Sequence, residues 1–270
     1  MKIYYQGEAG AYSNLASIIA KENLNIETAD IIGLSDFPEV WANIGDNAIG
    51  VLPIENSTAG SIHENLYNFL RYDFKIIGEI DLEIKHCLLS NETDISKIKE
   101  AYSHPQALSQ CHNYLNHHKI KPIIFYDTAG AAKEIKEKNM YGVRAIASSL
   151  AGEIYGLNKI SEDIQDQNGN TTRFFVVVPK DSKLEFGIKQ NKTSIIFETK
   201  NIPASLYKCL GAFATNNINL TKIESMPSFK DPFSYIFWLD FEGNMQESNI
   251  INSLNELKFF TKEIKVLGEY

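Results

Sequence analysis

Short apolar runs rich in β-branched residues recur through the first 180 or so residues, each ending in a small polar turn that opens a helix-period segment. Residues 2–6 read as a strand, and Gly7-Glu8-Ala9-Gly10 turns tightly into a helix. Ser13 is expected as its N-cap, with Leu15, Ile18 and Ile19 on its apolar face. Ala48 to Ile54 repeats the layout, followed by Glu55-Asn56-Ser57-Thr58-Ala59-Gly60. Ser61 with Glu64 then fits a capping box, and Ile62, Leu66, Phe69 and Leu70 face inward from the next helix. Ser103-His104-Pro105-Gln106 opens a helix carrying Ala107, Leu108, Cys111 and Leu115; Asp127-Thr128 caps another after strand 122–126, and Ser148 a third after strand 145–147. This alternation predicts an α/β fold with a mostly parallel sheet. Ligands of such folds bind outside the carboxyl ends of the strands. Here those ends lead into helix starts, whose unpaired N–H groups and partial positive charge suit carboxylates.

One stretch stands apart. Asn170-Thr171-Thr172-Arg173-Phe174 precedes the apolar run Phe175-Val176-Val177-Val178-Pro179, which reads as a buried strand. Arg173 offers a planar fork of donors for a carboxylate, and Thr172 a hydroxyl donor beside it. Taken alone, the pair reads equally as a turn cap and a surface ion pair. Four polar helix starts together with Thr172-Arg173 describe a small anion-binding cleft that uses no cofactor and no metal.

Composition narrows the partners. The formal net charge of −8 argues against nucleic acid or an anionic membrane surface. No apolar run approaches the roughly 20 residues that span a bilayer. Met1 to Gly7 enters a strand directly, so no signal peptide is expected. Cys87, Cys111 and Cys209 lie far apart in apolar surroundings and read as reduced thiols of a cytoplasmic protein. The glycine pattern is G-x-x-G with no following P-loop lysine, which does not support a nucleotide cradle. After a polar linker from Lys180, the order is strand 193–200, helix 203–216, strand 218–225, strand 233–241, helix 247–258 and strand 263–267, a ferredoxin-like βαββαβ unit.

In this order and spacing the chain resembles the prephenate dehydratases. The carriers are Gly7 to Ser13, Pro53-Ile54-Glu55-Asn56-Ser57 with Gly60, Ser103 to Leu108, Asp127-Thr128-Ala129, Ala145 to Ser148, Tyr155-Gly156-Leu157 and Asn170 to Phe174. The C-terminal part resembles an ACT regulatory domain through Ile202 to Leu206 and Ile218 to Ser225. The resemblance implies a catalytic domain over 1–182, folded like a type 2 periplasmic binding protein with two lobes crossing near 75–84 and 158–168, and an ACT domain over 190–270. It further implies a lyase that removes water and CO2 from prephenate to give phenylpyruvate in phenylalanine biosynthesis, acting alone as a homodimer or tetramer, with L-phenylalanine as allosteric ligand.

Carried onto this chain, the resemblance puts Thr172 beside the departing hydroxyl, as a hydrogen-bond donor rather than a full acid. Arg173 would pair with a substrate carboxylate, Asn56, Ser57, Gln106 and Thr171 would add hydrogen bonds, and Phe174 would wall the ring. Glu55 is either a protonated acid or an ion pair that organises its turn, and His104 either a general acid or structural. The allosteric positions would be Asn201, Pro203, Ala204, Ser205, Leu206, Glu224 and Ser225. The family commonly has Gly at position 204 and Arg at position 226, where this chain has Ala204 and Met226, so the ACT fold is the firmer expectation and phenylalanine binding the weaker. Arogenate, the amino analogue, is the close alternative substrate. A non-catalytic carboxylate or amino-acid sensor is the alternative of another class.

Overall fold

The computed structural model describes residues 1–94, 99–185, 187, 191–228 and 234–270. The chain forms two compact units, the first holding Met1–Tyr72 and Ile80–Ser182, the second Asp73–Glu79 and Lys183–Tyr270. The described elements begin with β1 (Lys2–Gln6), α1 (Tyr12–Asn23), β2 (Asp30–Leu34), α2 (Phe37–Asn43), β3 (Ala48–Asn56), β4 (Gly60–Ser61), α3 (His63–Arg71) and β5 (Phe74–Glu83). There follow β6 (Cys87–Ser90), β7 (Glu100–Ser103), α4 (Pro105–Gln110), α5 (His112–His117), β8 (Lys121–Ile124), α6 (Thr128–Glu137), β9 (Val143–Ala147), α7 (Ser149–Tyr155), β10 (Asn158–Ser161) and β11 (Thr171–Pro179). The last six are β12 (Lys192–Thr199), α8 (Ser205–Thr215), β13 (Leu220–Pro227), β14 (Tyr235–Glu242), α9 (Ser248–Phe260) and β15 (Thr261–Glu269).

Two sheets build the lobes of the first unit. One has the order β2-β1-β3-β11-β5 with β4 paired to β3; the other has the order β10-β6-β9-β7-β8. Both are mixed rather than mostly parallel. The β1–β2, β1–β3, β7–β8 and β7–β9 pairs are parallel, whereas β11 runs antiparallel to β3, and β6 to β9 and β10. The reversed strands adjoin the two passages between sheets: the chain leaves the first sheet after Glu83, enters the second at Cys87, and returns between Ser161 and Thr171. Those passages, 84–86 and 162–170, overlap the C-terminal parts of the segments expected near 75–84 and 158–168, and β5 and β10 fill 74–83 and 158–161. In β11, Phe174 to Val178 are all buried, as expected of a central strand covered on both faces.

Several helix starts differ from the sequence reading. Ser13 does not cap α1: Ala11 is the N-cap and Ser13 the second helical residue. The buried side of α1 carries Ser13, Asn14, Ala16, Ser17 and Ala20, while Leu15, Ile18 and Ile19 are half-buried. Small side chains let the helix approach β1, β3 and β11 closely. The Ser61–Glu64 capping box does not form, because Ser61 is held opposite Glu55 in the β3–β4 hairpin and Ile62 becomes the N-cap of α3. The helix expected through Cys111 is broken there into α4 and α5, although Ala107, Leu108, Cys111 and Leu115 are all buried as the pattern requires.

The second unit is a four-stranded antiparallel sheet, β13-β14-β12-β15, with the βαββαβ order expected from sequence. Ile195, Phe197, Leu239 and Phe241 of its strands pack with Phe213 of α8 and with Ile250, Leu254 and Leu257 of α9. Asp73–Glu79, more than 100 residues upstream of Lys183, belongs to this unit as well. Lys192 Nζ lies 2.5 Å from Glu79 Oε1, whose side chain is 0% exposed. At Gly268 an added Cβ would fall 2.1 Å from the Ile76 carbonyl oxygen, so only glycine fits where this upstream segment meets β15.

Candidate active site

A cleft of about 490 Å³ in the first unit is lined by strand residues of the first sheet, by the 84–86 passage and by helix starts of both lobes. That volume suits a small organic acid. Thr172 and Phe174 of β11, Asn56 at the end of β3 and Gln106 of α4 all line it. Asn56 is the hub. Its Nδ2 donates to Thr172 Oγ1 at 2.9 Å and to Asn170 Oδ1 at 2.8 Å. Its Oδ1 accepts from Thr58 Oγ1 at 2.7 Å, Thr58 N at 3.1 Å, Ala59 N at 3.0 Å and, at 3.5 Å, Gln106 Nε2. The amide orientation is thereby fixed, with two backbone donors on its oxygen. Because Thr172 Oγ1 accepts from Asn56, its own proton is left to be donated into the cleft.

Helix N-termini converge on the same space. The starts of α1, α2, α3, α4 and α6 all line the cleft. Three are filled by their own side chains: Asp36 Oδ1 accepts from Glu39 N, His104 Nδ1 from Gln106 N, and Asp127 Oδ1 from Ala129 N. The bond at His104 Nδ1 puts the proton of the neutral ring on Nε2. No Lys or Arg is among the described residues lining the cleft; its charged side chains are Asp36, Glu64 and Asp127. Anions must therefore be held here by backbone N–H groups, hydroxyls and amides. Among the described residues, no group of three or more His, Cys, Asp or Glu side chains is placed to hold a metal ion.

The structure separates residues that the sequence reading grouped. Arg173 does not line the cleft. The expected strand began at Phe175, but β11 already begins at Thr171, so the two-residue alternation of a strand applies across the motif. Thr172 and Phe174 face the cleft, while the Arg173 guanidinium lies on the other side, 4.9 Å from the centre of the Phe175 ring. There Arg173 Nη1 is 3.8 Å from Glu55 Oε2, and Glu55 does not line the cleft either. Of its two expected roles, the geometry gives Glu55 the ion pair. Ser57 and Thr171 likewise serve the fold: Thr171 N donates to Ser57 Oγ and Ser57 N to Thr171 O.

Sequence reasoning missed His86, Tyr12 and Gln110. His86 lies in the 84–86 passage, almost fully buried, with Nδ1 2.8 Å from Tyr12 Oη of α1 and Nε2 2.9 Å from Gln110 Oε1 of α4. It thus ties the first lobe to the second at one edge of the cleft. Burial lowers the His86 imidazole below its ordinary range, against a raising effect of the bond to Gln110. Burial also holds the Tyr12 phenol well above its ordinary value. No local motif marks His86 or Gln110, and Tyr12, although it lies in the Gly7–Ser13 stretch, meets them only through the crossing of the lobes.

In the second unit, Asn201 and Pro203 lie just before α8, Ala204 is its N-cap, and Ser205 and Leu206 are its first residues. Ala204 sits in the left-handed region, φ +59°, the conformation that favours glycine. Glu224 and Ser225 are in β13, and Met226 beside them is fully buried. The Ser205 hydroxyl is buried and has no hydrogen-bond partner among the described residues.

Comparisons with known proteins agree with this architecture. A family model described as prephenate dehydratase matches residues 3–182. Arogenate dehydratase/prephenate dehydratase 2, chloroplastic, of Arabidopsis thaliana is 40% identical over 285 residues, covering 100% of this chain and 72% of that protein. Among solved structures, prephenate dehydratase in complex with L-Phe from Arthrobacter aurescens superposes with a TM-score of 0.86 at 25% identity, covering 100% of this chain and 89% of that one. GqqA, described as a novel type of quorum quenching acylase, superposes with a TM-score of 0.85 at 30% identity over 99% of this chain and 97% of that one.

Proposed function

The chain belongs to the prephenate dehydratase family, and on that premise we propose that it converts prephenate to phenylpyruvate, CO2 and water. The observation that carries this reading is the Thr172 hydroxyl, oriented by Asn56 so that it donates into a small cleft. In the reaction the bond to the ring carboxylate breaks to release CO2, and its electron pair moves through the ring to expel the ring hydroxyl. The hydroxyl takes up one proton and leaves as water, and the ring is aromatic once both groups have gone. Thr172 stabilises the departing oxygen by hydrogen bonding, and the proton itself comes from a stronger acid or water, because a Thr hydroxyl is too weak an acid to supply it. Gln106 adds a donor, and Phe174 supplies an apolar wall for the developing aromatic ring.

Prephenate is the substrate we assign, with arogenate as the amino analogue named for the plant relative. The second unit is read as the phenylalanine-binding module, at Asn201 to Leu206 with Glu224 and Ser225. Its support is the L-Phe named in the Arthrobacter structure and the unpartnered Ser205 hydroxyl at a helix start without a side-chain cap. Pairing of such units in a homodimer or tetramer, and a cytoplasmic setting for the three unpaired cysteines, belong to the same proposal.

The test is turnover of prephenate, followed as phenylpyruvate, in the parent and in Thr172→Ala, with arogenate in parallel. Turnover that falls about 10²-fold or more in the variant is expected. Unchanged turnover would move the assisting donor to His104. No turnover of either substrate above the spontaneous rate would end the dehydratase reading, and acyl hydrolysis of the kind named for GqqA would be assayed next.

A further inference from the structure

The start of α1 differs from the other long helix starts at the cleft. Its N-cap, Ala11, offers no side-chain acceptor, and its first turn carries no acidic residue. Asn14, the side chain nearest to serve, is turned back to accept from Gly10 N at 2.9 Å. Among the described residues, the backbone N–H groups of Tyr12 and Ser13 have no acceptor. The Ser13 hydroxyl has none either, although the residue is only 8% exposed and lines the cleft. By contrast α6, ten residues long, is closed by Asp127, and α3 carries Glu64 in its first turn.

This open helix start is also held firmly. Ser148 Oγ donates to Gly10 O at 2.5 Å, and Glu8 N donates to Asp127 Oδ2 at 3.0 Å, so the loop before α1 is docked on the second lobe. Gly10 has φ +87°, and an added Cβ would lie 2.6 Å from Ala151 Cα, so the approach has no slack. Tyr12 Oη reaches Lys85 O at 2.8 Å, fixing the first helical residue against the passage between the lobes. Three unsatisfied donors, one of them the hydroxyl of a residue only 8% exposed, thus lie at a cleft that has no Lys or Arg among its described lining residues.

We propose that Ser13, with the backbone N–H groups of Tyr12 and Ser13, forms a carboxylate subsite that anchors the side-chain carboxylate of the substrate. This rests on the dehydratase reading for the identity of the substrate. The choice between the two carboxylates follows from the reaction. The ring carboxylate gives up its charge as it leaves as CO2, so a strong anion site on it would hold the ground state more tightly than the transition state. The side-chain carboxylate keeps its charge through to product. An anchor on it is uniform binding, felt in KM and in product affinity rather than in kcat. Ser13 is thereby a binding residue and Thr172 the group that acts on the reacting atoms.

The full chain is compared with Ser13→Ala and Ser13→Asp in prephenate turnover, in calorimetric titration with phenylpyruvate, and in thermal melting. Ser13→Ala is expected to raise KM and the phenylpyruvate Kd together by about tenfold or more, with kcat within about threefold of the parent. Ser13→Asp is expected to abolish phenylpyruvate binding while the melting temperature stays level or rises, because an internal carboxylate then occupies the helix start. The subsite is overturned if both variants keep KM and Kd within twofold of a parent that turns over prephenate, which leaves the dehydratase reading standing. It is overturned equally if Ser13→Ala lowers kcat at unchanged KM. A parent that makes no phenylpyruvate, yet binds it in a Ser13-dependent way, supports the subsite and refutes the dehydratase reading instead.

Discussion

At Thr172 the direction of one hydrogen bond decides what the hydroxyl can do. Asn56 donates to it, and Asn56→Asp would replace that donor by an acceptor of nearly the same shape. The Thr172 proton would then turn to the new carboxylate and away from the cleft. We expect a fall in kcat of about 10²-fold, and in a double-mutant cycle with Thr172→Ala the two losses should overlap rather than add. Additive losses would show that Asn56 acts separately. His86 gives a second prediction. Its folded imidazole is held below the ordinary value by burial, so as pH falls through about 6.5 the unfolded chain takes up the proton first. The stability His86 contributes is therefore present above that pH and lost as pH falls below it. Between pH 7.5 and 5.5 the drop in melting temperature should be shallower in His86→Gln than in the parent, and parallel curves would refute the assignment. Of the residues expected at the substrate, Thr172, Asn56, Gln106 and Phe174 meet in one cleft and Arg173 does not. Residue types were legible in sequence. The side of the strand on which each stands was not, until the first residue of β11 was known.

At the scale of elements, helix and strand types could be read because their periods differ, whereas helix starts could not. Ser13 and Ser61 have the chemistry of caps but are displaced from that role, one by the docking of the Gly7–Gly10 turn and the other by the β3–β4 hairpin. Both decisions are tertiary, made by residues such as Ser148 and Glu55 far along the chain or on a neighbouring strand. The same holds for the 84–86 passage, which nothing local distinguishes from the end of β5. Position 204 is the opposite case, where a local expectation meets a backbone that explains it. Ala204 caps α8 in a left-handed conformation that disfavours a Cβ. Ala204→Gly should therefore stabilise the second unit by about 0.5–1 kcal/mol, the relief of the left-handed residue less the greater chain entropy of glycine. A lower melting temperature in that variant would show that the Ala204 methyl makes contacts worth more than its strain.

For the whole molecule, the three cysteines are buried and unpaired, and burial pushes the Cys111 thiol up to about 12 and the Cys209 thiol up to about 11. Thiolate is the reactive form, so the native protein should leave all three untouched by a thiol reagent at pH 8, and denaturant should release three equivalents together. Rapid native labelling of even one would mean that its neighbourhood opens readily. The division into two units has a different bearing. The segment Asp73–Glu79 lies inside the span matched by the dehydratase family, yet it is part of the second unit, and Lys192 meets its buried Glu79. A gene that gained or lost the C-terminal module by recombination near position 183 would carry Glu79 to one side of the break and Lys192 to the other. It would also part the Gly268 backbone from the Ile76 carbonyl it was shaped to meet. Losing either side removes the Lys192–Glu79 contact and the close Gly268–Ile76 approach, so this module is poorly suited to inheritance as a cassette. Exchange of the module therefore has to include Asp73–Glu79 with Lys183–Tyr270, and lineages that have swapped it should show replacement at positions 73–79 in step with 192 and 268.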